Sequence, residues 1–317
     1  MKTIYLKEQS ETLPPSVATI GFFDGVHLGH CHIINKVVAL AREAGLLSTV
    51  VTFERHPRQV LCSDWHPQLL SSLDEKIALL SKTGIDQLAI LHFDASMAVL
   101  SANDFMADVL LRQLNVRKLV IGYDNHFGHR SPDSSEGFDD YVRYGHELGL
   151  NIVQGDPIDI GEVRVSSSKV RKLLTEGNVE KASLCLGRPY ELQGVIVRGE
   201  HIGTGLGFPT ANLQLDDADM LIPSPGAYAV NVLVEGSSDI KHGMMNIGRR
   251  PTFDGNHLTL ETHIFHFSGD VYGKRMRVWF ISRLRSEMRF DSGKALAAQL
   301  EADARHAKEI LKLKTEI

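Results

Sequence analysis

The sequence predicts an α/β domain followed by a mostly β domain, and a change of rhythm along the chain carries that prediction. Up to Cys185, short apolar runs alternate with stretches whose apolar residues recur every three to four positions, the pattern of a parallel sheet wrapped by helices. Beyond it, apolar and polar residues alternate with period two between Gly and Asp turns, the pattern of antiparallel strands. The length of 317 residues agrees, since domains of roughly 150 residues give about two.

In the first half, residues 17–23, 47–53, 87–93 and 118–123 read as strands. Between the first two, Ile33, Ile34, Val37, Val38, Ala41 and Ala44 mark one buried helix face. Further helices are expected over 74–81, 103–114, 138–148 and 168–185. LGRPYELQ (186–193) sets a proline between the two rhythms, which divides the chain into domains 1–186 and 187–317. Beyond it, Tyr228, Val230, Val232 and Val234 alternate with Ala227, Ala229, Asn231 and Leu233. Residues 258–265 and 275–281 alternate in the same way, with turns such as Phe253-Asp254-Gly255-Asn256 between strands. A last helix carries Leu296, Leu300, Ala304, Ala307 and Leu311 on one face.

Hydrophobic residues make up 43% and charged residues 23%, which is ordinary for a chain that buries a core and excludes disorder, collagen and coiled coil. With 34 Lys and Arg against 39 Asp and Glu, the net charge of −5 gives no basic field for duplex nucleic acid, while local sites for phosphates stay open. Cys31, Cys62 and Cys185 lie far apart with no CxxC pair, poor material for a disulfide framework or structural zinc. The start MKTIYLKEQS lacks the apolar core of a signal peptide, and no apolar run reaches the ~18 residues of a membrane span. A reducing cytoplasm is expected, with no membrane or nucleic-acid partner; the oligomeric state is left open.

Two segments carry candidate chemistry. In TIGFFDGVHLGH (19–30), Gly21, Gly25 and Gly29 let backbone approach a ligand, and a helix N-terminus offers N–H groups to an anion. His27 and His30, three apart, share a helix face. No Lys-Ser/Thr follows, so this is not a P-loop. A metal cluster with Cys31 and His32 is one other reading, although no second cluster of ligand spacing exists; capping or solvated histidines are another. In VSSSKVR (165–171), Ser167 and Ser168 can donate hydrogen bonds at a helix start, with Arg171 one turn on reaching the same phosphate. A plain serine cap beside a surface arginine also fits.

The second segment is GVIVRGEHIGTGLGFPTANL (194–213). Its Gly203, Gly205 and Gly207 are not a Rossmann fingerprint, because the spacing is wrong and Pro209 with an extended run follows. They fit a flexible hairpin, or a flap whose N–H groups cover phosphates. Thr210 and Asn212 would share one face of a strand, and a hydroxyl with an amide oxygen suits Mg²⁺. Glu261, on the strand face of His263 and Phe265, is either solvated or placed to accept a proton from an attacking hydroxyl.

GFFDGVHLGH closely resembles the HxGH signature of nucleotidylyltransferases in the form carried by bacterial FAD synthetases. TFERHP (52–57) is similar to that family's TFxPHP segment, IGYDNHFG (121–128) to GxDFxFG, and VSSSKVR to ISSTxIR. LGFPTANL, PSPGAYAV (223–230), NIGRRPTF (246–253), LETHIFHFSGDVYG (260–273) and LRSEMRFDS (284–292) resemble the riboflavin kinase module. Together, over about residues 19–299, they resemble the bacterial bifunctional riboflavin kinase/FAD synthetase family.

The resemblance implies a Rossmann-like nucleotidylyltransferase domain, then an antiparallel β-barrel kinase domain with a terminal helix. It implies ATP-dependent phosphorylation of riboflavin to FMN, then adenylyl transfer from ATP to FMN giving FAD and pyrophosphate, with Mg²⁺ as cofactor. By the same resemblance Gly21, Phe22, Asp24, His27, Gly29, His30, Asp124, Ser167, Ser168 and Arg171 bind ATP in the first domain. His27, His30 and Arg171 act there on the transferring phosphates, and Phe53, His56 and Pro57 bind flavin. In the kinase domain Gly203, Gly205, Gly207, Thr210 and Asn212 bind ATP, Thr210 and Asn212 hold the metal, Arg285 lies at the flavin end, and Glu261 is the general base. Arg55 stands where the family usually has proline, Asn125 where it has phenylalanine, and Thr204 where it has arginine. Two other readings are a nucleotidylyltransferase with a degenerate kinase domain and a non-catalytic flavin-binding protein.

Overall fold

In this computed structural model the described residues are the whole chain except 7–12, 62–64, 124, 126, 130–135, 162, 200–204, 206, 253–254 and 316–317. Cys62, Asp124, Gly203, Thr204 and the Phe253-Asp254 turn therefore lie outside them. The chain divides into two units, Met1–Ser167 and Ser168–Ile317.

The first unit is built on β1 (Lys2–Leu6), β2 (Ser16–Ile20), β3 (Leu47–Phe53), β4 (Gln87–Leu91), β5 (Val116–Gly122) and β6 (Asn151–Gly155). All are parallel, in the order β1-β4-β3-β2-β5-β6. β2 and β4 are buried along their whole length, which is why they read as largely apolar runs without alternation. β1 and β6 at the edges are only partly buried and carry no such signal. The chain adds β3 and β4 on one side of β2, then β5 and β6 on the other. The carboxyl end of β2 is thus the switch point at which open α/β sheets bind ligands.

Helices α1 (Leu28–Ala44), α2 (Pro57–Leu61), α3 (Leu73–Leu80), α4 (Ala95–Ala98), α5 (Ala102–Asp104) and α6 (Phe138–Leu148) connect these strands. α1 buries Ile34, Val37 and Ala41, and ends on Gly45 in the left-handed region. α3 opens on a reciprocal cap between Ser72 and Glu75. α5 runs on into a π-helical stretch, Phe105–Gln113. A two-stranded ribbon follows β6, formed by β7 (Asp159–Ile160) and β8 (Val163–Arg164).

The single helix expected over 168–185 is two, α7 (Ser167–Thr175) and α8 (Val179–Leu186). Gly177, at φ 77°, turns the chain between them, and Asn178 caps α8 by accepting from Lys181 N–H. Glu180 of α8 accepts hydrogen bonds from Ser282 Oγ and Arg283 N–H, so this helical pair packs within the second unit.

The second unit is a closed antiparallel barrel, β10-β13-β12-β11-β14-β9. Its strands are β9 (Tyr190–Val197), β10 (Ala211–Leu215), β11 (Gly226–Val234), β12 (Lys241–Thr252), β13 (Gly255–Ile264) and β14 (Arg275–Ser286). α9 (Gly293–Thr315) lays Ala307 and Leu311 against Ala229, Met244, Phe265 and Ile281. Among the described residues no helix is long and apolar enough to cross a membrane.

Candidate active sites

The first site grows from the carboxyl end of β2. Gly21 N–H still donates to Val51 O at 3.0 Å, and the chain then turns through Phe23 (φ 53°), Gly25 (φ 73°) and Val26 (φ 39°). A non-glycine residue in this region costs of order 1–3 kcal/mol, so two in four positions need outside support. That support comes from the segment leading into α3. Asp24 Oδ1 accepts from Leu70 and Ser71 N–H at 2.9 and 3.2 Å, and Ser71 Oγ accepts from Gly25 N–H at 3.0 Å. Ser167 Oγ donates to Asp24 O at 3.1 Å.

The turn delivers His27 as the N-cap of α1. Its Nδ1 accepts from His30 N–H at 3.2 Å, which puts the proton of a neutral ring on Nε2. The His27 and His30 rings stack at 3.5 Å, and Phe23 stands edge-on to His30 at 5.0 Å. Gly29 makes room for this: a Cβ there would lie 3.1 Å from the His27 ring and 3.3 Å from Val165 O. Two imidazoles therefore sit at the positive end of a helix of 17 residues, an arrangement for anions. Among the described residues no group of three or more His, Cys, Asp or Glu is placed to hold a metal.

Beside this loop, Phe53 closes β3, and His56 lies 4.7 Å from both the Phe22 and Trp65 rings. Pro57 is the first residue of α2, where its missing N–H is no loss. Arg55 is exposed. The Asn125 amide donates to Ile20 O, so this residue ties its loop to the end of β2. Ser168 and Arg171 are three apart on α7, across the division between units.

Sequence reasoning passed over Lys76 and Trp65. Lys76 is 2% exposed, and its Nζ donates to Phe22 O and Phe53 O, both at 3.1 Å. Burial lowers its pKa from 10.5 to about 8 against the opposing pull of Asp24. A lysine inside a short helix gives no sequence signal for this, and Trp65 lies beyond the motif that ends at Pro57.

The second site is a row around the barrel. The ladders set Asn212 opposite Glu261, Glu261 opposite Asn246, Asn246 opposite Ala227, and Ala227 opposite Arg285. Directly opposed residues of antiparallel strands project to the same face. Leu260, Thr262 and Ile264 are buried on the other face. A cavity of about 290 Å³ is lined by Thr210, Asn246, Glu261, His263 and Arg285, and closed by Phe208, Met288, Phe290 and the α9 residues Leu296, Leu300 and Asp303. Asn246 is a functional candidate that only the strand register reveals.

Asn212 shares the row but does not line the cavity; its amide packs against Gly199, where a Cβ would stand 2.2 Å from Nδ2. Arg285 Nε donates to both Asp303 oxygens at 3.2 and 2.9 Å, and Gln299 donates to Asp303 Oδ1 at 2.8 Å. His263 Nδ1 donates to Pro209 O at 2.8 Å, fixing the segment just before Thr210. Burial, seconded by Lys308, holds the His263 pKa below the usual imidazole value, so the ring is neutral near pH 7. Gly205 and Gly207 are exposed.

Two family models match the chain, FAD synthetase over residues 9–169 and riboflavin kinase over residues 186–311. A relative from Escherichia coli (strain K12), named bifunctional riboflavin kinase/FMN adenylyltransferase, is 36% identical over 300 residues, or 94% of this chain and 93% of its own length. One of the same name from Bacillus subtilis (strain 168) is 34% identical over 315 residues, 97% of each chain. A solved structure from Streptococcus pneumoniae, described as a macrolide-efflux protein, matches with a TM-score of 0.86 and 30% identity over 97% of this chain and 99% of its own. That description names efflux, whereas both family models and both relatives name flavin chemistry. The agreement of four comparisons outweighs one description, and the solved structure contributes the fold.

Proposed function

The chain belongs to the bifunctional riboflavin kinase/FMN adenylyltransferase family, and on that premise we propose how its residues divide the two reactions. It is an enzyme that phosphorylates riboflavin to FMN and transfers an adenylyl group from ATP to FMN, giving FAD.

In the kinase, Glu261 accepts the proton of the riboflavin ribityl hydroxyl as that oxygen attacks the γ-phosphorus of ATP. Arg285, held by Asp303, meets the flavin end, and Gly203, Gly205 and Gly207 cover the phosphates. The Thr210 hydroxyl and Asn212 amide are hard oxygen donors that fit Mg²⁺ carried by ATP, and the ion would neutralise phosphate charge there. Most of the acceleration comes from positioning and charge neutralisation, as in other phosphoryl transfers.

In the adenylyltransferase, the FMN phosphate attacks the α-phosphorus of a second ATP, so no covalent enzyme intermediate is needed. His27, His30 and Arg171 stabilise charge on the transferring and leaving phosphates. The strained turn of Gly21, Phe22 and Asp24, the close approach at Gly29, and Asp124, Ser167 and Ser168 hold the nucleotide. Phe53, His56 and Pro57 take the flavin. Ser168 and Arg171 serve the first reaction, with the functional division at 186/187; the riboflavin kinase match that begins at 186 supports a division near there, and the FAD synthetase match to 169 takes in Ser168. Free thiols at Cys31 and Cys185 support a reducing, cytoplasmic setting.

The observation that carries this reading is the row that aligns Asn212, Glu261 and Arg285, residues far apart in sequence, around one barrel. Glu261→Gln should lower FMN formation by about 10²–10⁴-fold and leave FMN-to-FAD conversion intact. His30→Ala should lower FAD formation by about 10²–10³-fold and spare the kinase. If either substitution removed both activities equally, its residue would be structural.

A further inference from the structure

Bringing an ammonium ion out of water costs several kcal/mol unless its surroundings compensate. Lys76 is buried nonetheless, and its hydrogen bonds run to main-chain carbonyls rather than to a carboxylate. Those two carbonyls are not arbitrary. The β2–β3 ladder ends with Ile20 opposite Val51, and Phe22 and Phe53 are the next positions of the same phase, just where the strands part. Phe22 O also accepts from Thr52 Oγ1 at 3.1 Å, and the Lys76 ammonium sits 4.0 Å from the centre of the Phe22 ring.

Phe22 begins the turn that presents His27 and His30; Phe53 begins the segment that carries His56. We propose that Lys76 is a positioning residue for adenylyl transfer, whose ammonium bridges the parted ends of β2 and β3 and fixes the nucleotide turn against the flavin segment. The proposal rests on the assignment of ATP to the turn and flavin to the 53–57 segment.

Packing alone gives no reason for a charge here. An unbranched apolar side chain of similar length would fill the same space and differ chiefly in leaving the two carbonyls without their ammonium donor. What Lys76 adds is therefore the polar bridge itself, at the switch point where the two segments part. The support is local: Asp24, which opposes the lowered pKa of Lys76, is itself tied to Leu70 and Ser71 at the start of α3.

The test uses the full chain, with its kinase as internal control. Lys76→Met should keep riboflavin phosphorylation within two-fold. Its kcat/KM for FMN-to-FAD conversion should fall at least ten-fold, with KM raised for both FMN and Mg·ATP because the bridge served both segments. Adenylyl parameters within two-fold of wild type would overturn the proposal. So would a fall in kcat at unchanged KM that tracks the folded fraction, the mark of a merely structural lysine. Should the methionine variant not fold, Lys76→Gln is read by the same KM criterion. Wild-type protein that makes no FAD from FMN would overturn the assignment beneath, and is detected before any variant is compared.

Discussion

The close approach at Gly29 links one missing methyl group to one reaction. An added Cβ would stand 3.1 Å from the His27 ring and 3.3 Å from Val165 O, so the ring must move by a few tenths of an ångström. That movement breaks the 3.5 Å stack on His30 that aims both imidazoles at one place. Misplacements of about 1 Å cost up to 10²-fold in rate. Gly29→Ala should therefore slow FMN-to-FAD conversion roughly ten-fold or more with riboflavin phosphorylation unchanged, as initial rates of the two reactions would show. At this scale the sequence was legible where glycine and histidine spacing announce a turn and a helix start. It was silent on Lys76, whose role depends on a register between β2 and β3, and on Asn246, which reaches the kinase row only through its ladder partner Glu261. Asn125 is a different lesson: read as a departure from the family's phenylalanine, it ties its loop to Ile20 O.

Among elements, α9 does more than cover the barrel. Leu300, Ala307 and Leu311 follow the predicted apolar stripe, but Asp303 and Gln299 build a polar anchor for Arg285 on the edge of the cavity. The Arg285 and Asp303 side chains are 14% and 5% exposed, and removing one partner of such a pair typically costs about 3–5 kcal/mol. Asp303→Ala should lower the urea midpoint of the second unit and raise the kinase KM for riboflavin, while adenylyl transfer is spared. Equal loss of both activities would place Asp303 in the general fold. α9 was readable because its stripe is long, and β10 as the extended run after Pro209; β9 and β12 were not. β12 carries Gly243, Gly248 and Pro251, which interrupt its alternation. The break between α7 and α8 falls at Gly177, where the buried face passes from Val170, Leu173 and Leu174 to Val179, Ala182, Cys185 and Leu186.

For the whole molecule, two hydrophobic rhythms became two architectures: an all-parallel sheet, whose buried strands show no alternation, and a closed barrel, whose strands alternate because each has one inner and one outer face. Closure itself was not in the alternation, since β9 and β12 were not read as strands and only the ladder from β10 back to β9 completes the ring. The account rests on one chain performing two transfers in sequence. The direct measurement is the time course of flavins, separated by chromatography, when the purified chain meets riboflavin and excess Mg·ATP. FMN should appear first and then decline as FAD accumulates. Riboflavin left unchanged, or FMN that accumulates without ever giving FAD, would contradict the account.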